Sequence, residues 1–262
     1  MIELEGYGVR INPFTKEYFF EQFKKYKFKD VVKGNVVVKH VDVPFGIHNC
    51  FLNRDMFELN DVPALYIDGE IMMSLTPLEI ESHYMPIELA EGRVGVAGLG
   101  LGYFVQNVLE KETVDEVIVY ELNQNVIDIY LDNFGEHEKL TIVNKDVFKV
   151  KGEHFDFFYN DIYQMCMTEK AFEDVAIICK NNDVDIYHWW AMEGFIQSAI
   201  HTINADSPSV TALTKVIPVD WLIRYLPFIA LLEDTRGGLC ENNLIPKDSY
   251  ELFEKYKFTK LF

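Results

Sequence analysis

The sequence predicts an α/β protein: a doubly wound parallel sheet with helices on both faces, a small N-terminal β domain before it and a helical C-terminal extension after it. Three observations carry this. Residues 92–190 alternate short apolar runs with amphipathic segments. Residues 1–90 read mostly as strands and end in a helix, and residues 191–262 are mainly helical in pattern. The boundary therefore falls between a β-rich domain at 1–90 and a parallel-sheet domain with its C-terminal helices at 91–262.

In the first region, 35–43 (NVVVKHVDV) and 63–71 (PALYIDGEI) have the β-branched and aromatic character of strands, and 50–59 (CFLNRDMFEL) has it more weakly. Asp68-Gly69 marks a hairpin turn inside YIDGEIMM. A helix follows over 76–90: Thr76 stands at the N-cap, Pro77 at the first helical position, and Glu79 three residues after the cap.

In the second region, 93–98 (RVGVAG) is a continuous apolar run, as suits a strand buried on both faces. Then come a helix (103–112), a strand (114–121), and a helix (123–134) with Val126, Ile129, Tyr130 and Phe134 on one face. Strands at 139–146 and 155–161, a helix at 169–180 and a fifth strand at 184–190 complete the series. Such a series implies right-handed crossovers and a parallel sheet. The helical patterns at 191–203 and 219–233, and a tail at 250–262, cover the sheet or close over a pocket.

Composition narrows the function. The 262 residues are 49% hydrophobic and 25% charged, as in an ordinary globular protein, and 20 Phe and 14 Tyr foretell an aromatic core. A net charge of -18 repels phosphate backbones and anionic membranes, which argues against nucleic acid and a membrane as partners. The basic stretch at 21–40 reads as a helix end and an edge strand with solvated lysines; the alternative is a basic rim for an anionic partner. Cys50, Cys166, Cys179 and Cys240 have no paired or metal-ligand spacing, so buried free thiols and no metal are expected. The N-terminus has acids where a signal peptide needs a basic run. The most apolar long window, 219–234, is broken by Arg224 and Pro227 and is too short to span a bilayer. A cytoplasmic protein is the expectation.

The stretch 94–104, VGVAGLGLGYF, places Gly98, Gly100 and Gly102 where the first strand of the series turns into the first helix. A ligand lies against such a turn only where no Cβ intervenes, and the helix N-terminus beyond offers N–H groups. Tight strand–helix packing also selects glycine there. The neighbouring strand ends add weight: Glu121, Asp146 and Asp161 each fall at a carboxyl tip of the following strands. Ligands of open α/β sheets bind at that edge.

With these motifs the chain resembles the class I S-adenosylmethionine-dependent methyltransferases, which have a Rossmann-like fold. More narrowly, it is similar to their spermidine synthase-like branch. YIDGEIMMSLTPLEIESHY leads into RVGVAGLGLGYFVQNVLE in that branch's order, and the similarity covers 64–167. The resemblance implies S-adenosylmethionine as cofactor. Gly98, Gly100 and Gly102 would line its methionine and ribose, and Glu121 would bind the ribose hydroxyls. Asp146, with the Val147 backbone, would hold the adenine edge. Asp161 would stand beside the sulfonium, with Tyr163 shaping the pocket. It also allows a homodimer.

Departures bear on the reaction. Where aminopropyl-transferring members carry an acid in the glycine loop, a second acid after the fourth-strand Asp, and a Gln after the Asp-Gly turn, this chain has Leu101, Gln164 and Met72. Methyl transfer to a small-molecule or basic protein acceptor is the first reading. Aminopropyl transfer from decarboxylated S-adenosylmethionine is the alternative, and a non-catalytic nucleotide-binding protein is another. NDIY at 160–163 overlaps the motif of amino-methylating enzymes but lacks its two prolines, and the Gly-x-Gly-x-x-Gly spacing of NAD enzymes is absent. His83 and Tyr84 are either substrate contacts or a packed helix face. YHWW at 187–190 is either core or a pocket wall, with His188 a structural histidine or a base. The glycine-bearing loop at 233–243 is a connection or a mobile cover.

Overall fold

The structure is a computed structural model, and it describes residues 14–43, 59–164 and 170–192. The weak strand at 50–58, the C-terminal helical patterns and the 233–243 loop lie outside these residues. So do Cys50, Cys166 and Cys240. Cys179 is half-buried and in no disulfide among the described residues.

The first described element is a helix, α1 (Lys16–Lys25), where the sequence suggested only a helix end. The Thr15 side chain caps it by accepting from the Tyr18 amide, and Glu17 in its first turn and Lys24 and Lys25 in its last complement the dipole. Four antiparallel strands follow in the order β1-β2-β3-β4: β1 (Val31–Lys33), β2 (Val36–Val43), β3 (Leu59–Ile67) and β4 (Glu70–Ser74). The three-residue β1 is too short to carry a pattern legible in sequence. β3 starts at Leu59, ahead of Pro63, the expected first residue. Pro63 has no N–H for a ladder, and β4 pairs only from Ala64 onward. The β3–β4 turn is the expected one: Asp68 (φ 53) and Gly69 (φ 85) both take left-handed backbone between the paired Ile67 and Glu70.

Helix α2 (Pro77–Leu89) joins this sheet to the second one. Thr76 is its N-cap residue, but the Thr76 side chain makes no cap bond and Glu79 does not close a capping box. Glu79 is buried instead, only 8% exposed, because it turns inward with His83.

The second sheet has five parallel strands in the order β7-β6-β5-β8-β9. They are β5 (Gly92–Ala97), β6 (Val114–Glu121), β7 (Leu140–Asn144), β8 (His154–Asn160) and β9 (Asp183–Trp189). Renumbered within the sheet, the order is 3-2-1-4-5, the Rossmann-like doubly wound arrangement. Helices α3 (Tyr103–Leu109) and α4 (Gln124–Phe134) pack on β6, and α5 (Lys170–Asn181) packs on β9. β5, β6 and β8 bury almost every residue of their second halves, as continuous apolar runs require. Val126, Ile129 and Tyr130 of α4 are buried as expected, and Phe134 packs partly buried against Tyr26, Phe28 and Tyr130.

The two sheets share one aromatic core. Tyr26, just after α1, lies 5.0 Å from the Tyr103 ring, and its hydroxyl accepts from Asn107 Nδ2 at 2.7 Å. Lys33 reaches Asp132 of α4 at 2.7 Å across the same joint. That pair is exposed and fixes orientation more than stability.

Gly95, in the middle of β5, is pressed between two rings: a Cβ there would lie 2.5 Å from Phe158 and 2.7 Å from Phe155. Gly95→Ala overpacks the core and should destabilise the fold by about 1–3 kcal/mol. A fall of several degrees in Tm by calorimetry is the expected result, and an unchanged Tm would mean that the rings move aside freely.

Candidate functional site

The strand order reverses between β5 and β8, where the chain winds one way into β6 and β7 and the other way into β9. The carboxyl ends of these strands open into a cavity of about 390 Å³. Gly98, Gly100, Glu121, Asp146, Val147, Asp161 and Tyr163 all line it, as the strand-end argument requires. Gly102 does not line it.

Each glycine of the loop has its own close neighbour inside the protein. A Cβ on Gly98 would run into the Asp161 carbonyl, one on Gly100 into the Met73 sulfur, and one on Gly102 into the Tyr130 ring. All three have positive φ. Gly102 caps α3 in the left-handed region and lets α4 approach, so its need for glycine comes from helix packing. The loop's amides are also largely used. Gly98 donates to the Tyr120 carbonyl, Leu99 to Glu121, and Gly102 to the Leu99 carbonyl, while the Leu101 amide points at Met73 Sδ. The loop offers close approach more than free donors.

Glu121 sits at the tip of β6. Its Oε2 accepts from the Leu99 amide at 3.0 Å and its Oε1 from the Asn123 amide at 2.7 Å. Each oxygen keeps a second lone pair for a ligand. Asp146 stands two residues past β7 and caps a 3-10 turn over Val147–Lys149, accepting from the Phe148 amide at 3.1 Å. Lys149 lies 3.3 Å from its other oxygen. Phe148 lines the same end of the cavity with Lys170, whose ammonium lies 5.8 Å from the Phe148 ring centre.

Asp161 directly follows β8. Its amide donates to the Ala97 carbonyl at 2.8 Å, which holds the ends of β5 and β8 together. Its Oδ2 lies 3.0 Å from His83 Nε2, and its side chain is 24% exposed. His83 is 1% exposed; its Nδ1 lies 2.7 Å from the Glu79 carbonyl oxygen and 3.5 Å from Glu79 Oε1. Burial opposes a charge on His83, yet the Glu79 carboxylate and the Asp161 hydrogen bond outweigh it and push its pKa up to about 9. Glu79 is pushed up to about 7, chiefly by burial, with Asp161 adding to the shift and His83 opposing it.

The Tyr163 ring lines the cavity, but its hydroxyl turns away. It donates to Asp174 at 2.9 Å and accepts from Asn160 Nδ2 at 2.7 Å. Burial and the nearby Tyr187 and Asp174 raise its pKa far above the ordinary tyrosine value. Tyr163 therefore shapes the wall and is no base. Tyr187, His188 and Trp189 are core residues, whereas Trp190 also lines the cavity and donates to Ser82 Oγ at 2.8 Å. The N-terminal sheet supplies the remaining wall through Leu65, Ile67, Met72 and Met73. Sequence reasoning left YHWW open between core and pocket wall, and it missed Met73 and Phe148. It also passed over Glu79 and His83 as a pair, although their i,i+4 spacing on α2 was in plain view.

Two sets of side chains among the described residues have metal-ligand spacing, with ligand atoms within 4.8 Å of one another. In Glu79, His83 and Asp161, both ring nitrogens already face oxygens. His154, Asp156 and Asp185 lie at the opposite end of the sheet and are largely open to solvent.

No protein-family model and no curated protein sequence matches the chain. Solved structures do. A spermidine synthase of Thermotoga maritima matches at 17% identity and a TM-score of 0.35, over 54% of this chain and 62% of that one. An N-methyltransferase of Bradyrhizobium japonicum, solved with S-adenosylhomocysteine, matches at 15% and 0.34, over 41% and 58%. A ribosomal protein L11 methylase of Lactobacillus delbrueckii matches at 13% and 0.34, over 43% and 60%. The chain thus spans about three fifths of the length of each. No helix among the described residues is long and apolar enough to cross a membrane.

Two outcomes follow from the geometry. Glu79 and His83 both bind protons more tightly folded than unfolded. The Glu79 contribution is full below its ordinary pKa of 4.5 and fades as pH rises through about 7. The His83 contribution is full below 6.5 and is lost as pH rises through about 9. Urea unfolding should show stability falling between pH 6.5 and 9 by on the order of 2–3 kcal/mol, and His83→Gln should flatten that slope. Tyr163→Phe leaves the buried Asp174 carboxyl without its donor and should cost about 1–3 kcal/mol of stability.

Proposed function

We propose that this chain is an S-adenosylmethionine-dependent transferase that methylates a small-molecule or basic protein acceptor. The observation that carries the reading is the convergence of the glycine loop, Glu121, Asp146, Val147, Asp161 and Tyr163 on one cavity at the switch point. Its volume lies in the range of sites for nucleotide- and drug-sized ligands.

The residues present fit such a cofactor. Glu121 keeps acceptor capacity for two ribose hydroxyls while two amides hold it still. Phe148 and Val147 offer an apolar wall for an adenine beside Asp146. Gly98 and Gly100 leave the loop backbone bare at the cavity. When bound, S-adenosylmethionine supplies a sulfonium methyl open to displacement, an electrophile that no side chain offers.

The chain's own contribution is positioning and the exclusion of water. Asp161 accepts a hydrogen bond from the acceptor's N–H or O–H and takes its proton. Tyr163, Trp190, Met72 and Met73 form the largely apolar wall around that point. The acidic total charge and the acids in the cavity favour a cationic or neutral acceptor over nucleic acid.

Calorimetric titration with S-adenosylmethionine, S-adenosylhomocysteine, decarboxylated S-adenosylmethionine and NAD tests the reading. Saturable binding of the first two is expected, at least tenfold weaker in Glu121→Ala, or about 1.4 kcal/mol. Preference for the decarboxylated form would turn the reading to aminopropyl transfer. Binding of none would overturn it.

A further inference from the structure

Transfer chemistry as described uses Asp161 and leaves the two residues behind it without a task. Asp161 Oδ2 faces His83 Nε2 at 3.0 Å. A carboxylate only accepts, so Nε2 carries a proton. His83 Nδ1 faces the Glu79 carbonyl at 2.7 Å, and a carbonyl also only accepts, so Nδ1 carries a proton too. A ring protonated at both nitrogens is an imidazolium. Its counter-charges are the Asp161 carboxylate on one side and Glu79 Oε1, 3.5 Å from Nδ1, on the other.

The surroundings permit few alternatives. The described rings around His83 are Tyr103 and Tyr159, each with its centre 5.6 Å away and edge-on, and Phe104 at 6.4 Å. The Tyr103 hydroxyl is directed to Gln22 Oε1 at 3.2 Å. No other titratable group among the described residues forms an ion pair with the ring. A buried imidazolium is tolerated only with such close counter-charges. The same Glu79–His83 spacing places both side chains on the α2 face that looks onto the cavity wall.

We propose that His83 is a positioning residue, an imidazolium throughout the neutral pH range, that fixes Asp161 against the cavity, and that Glu79 is the buried counter-ion that keeps it charged. Holding one Asp161 oxygen leaves the other for the acceptor's N–H or O–H. That last step rests on the transfer reading, but the charge on His83 belongs to the free protein and needs no cofactor. Burial opposes the charge, and the two acids together outweigh it and raise the affinity of the ring for its second proton.

Long-range proton–nitrogen correlation spectra of the full chain, without any ligand, provide the test. Both ring nitrogens of His83 should be protonated at pH 7.5. In Glu79→Gln, which keeps the backbone carbonyl contact and removes the charge, the titration midpoint of His83 should fall by at least one pH unit. Asp161→Asn, at the partly exposed end, should lower it as well, and it stands in should Glu79→Gln not fold. A neutral ring with Nε2 bare at pH 7.5, the state of a metal ligand, would overturn the proposal. So would a midpoint that neither variant moves. Because the measurement uses the free protein, a failure to bind S-adenosylmethionine would leave it intact, and its own failure would leave the cofactor reading intact.

Discussion

The site depends on one backbone contact. Where β5 leaves the sheet, Gly98 lets the Asp161 carbonyl come within a distance that any Cβ would occupy. The Asp161 amide, in turn, donates to the Ala97 carbonyl at 2.8 Å. The two strands on either side of the switch point therefore part only after Asp161, and its side chain emerges at a fixed place. A side chain at position 98 would push the loop after β8 outward. Asp161 would leave His83, and the line from the cavity to α2 would break. Glu121 braces the same loop from the other side, through the Leu99 amide.

That arrangement makes α2 more than a connector between two sheets. Its inward face carries Glu79, Ser82 and His83, all buried. Ser82 accepts from Trp190 at the end of β9, and His83 meets Asp161 at the end of β8. One helix thus gathers the ends of two strands that the chain reaches much later. The cost of burying ionisable groups is high unless they are paired. Here the pairing spans separate elements, so the helix, the sheet and the loop hold together only in the arrangement that forms the cavity. The N-terminal hairpin closes the other side. Its Asp68-Gly69 turn sets the register of β4, and Met73 lands against the bare backbone of Gly100.

The parts of the sequence governed by local rules were the legible ones. Continuous apolar runs located β5, β6 and β8, and strand-end logic brought Glu121, Asp146 and Asp161 to one edge. The illegible parts depend on contacts distant in sequence. Glu79 has the spacing of a capping residue, but it turns inward beside His83, whose other ring nitrogen faces Asp161, 78 residues further on. Gly102 looks like its two neighbours in the loop, yet its constraint comes from Tyr130 on α4. Tyr163 could be placed at the cavity, but the direction of its hydroxyl is set by Asp174 on a helix beyond an undescribed stretch. Helix α1, by contrast, carries a local signal, Thr15 at its N-cap and Phe19 on a buried face, that the sequence reading did not use.

Under the proposed transfer reading, the rim of the cavity bears on which group moves. Met72 and Gln164 stand at two of the three positions where the resemblance to aminopropyl-transferring members fails, and here they touch: Gln164 Nε2 lies 3.0 Å from Met72 Sδ. Both departures are thus a single change at one place. A polyammonium chain needs carboxylates along its length to replace the water it gives up. A thioether and an amide that satisfy each other provide no such replacement. Methyl transfer asks for something different, namely an apolar enclosure around one hydrogen-bond acceptor, so that the nucleophile meets the methyl carbon without competing water. Met72, Met73 and Trp190 around Asp161 have that character. The Leu101 departure belongs to another category, since Leu101 is buried away from the cavity and packs the loop. What distinguishes the site is therefore an uncharged contact of thioether and amide at the rim, with a buried charged pair behind Asp161 on α2.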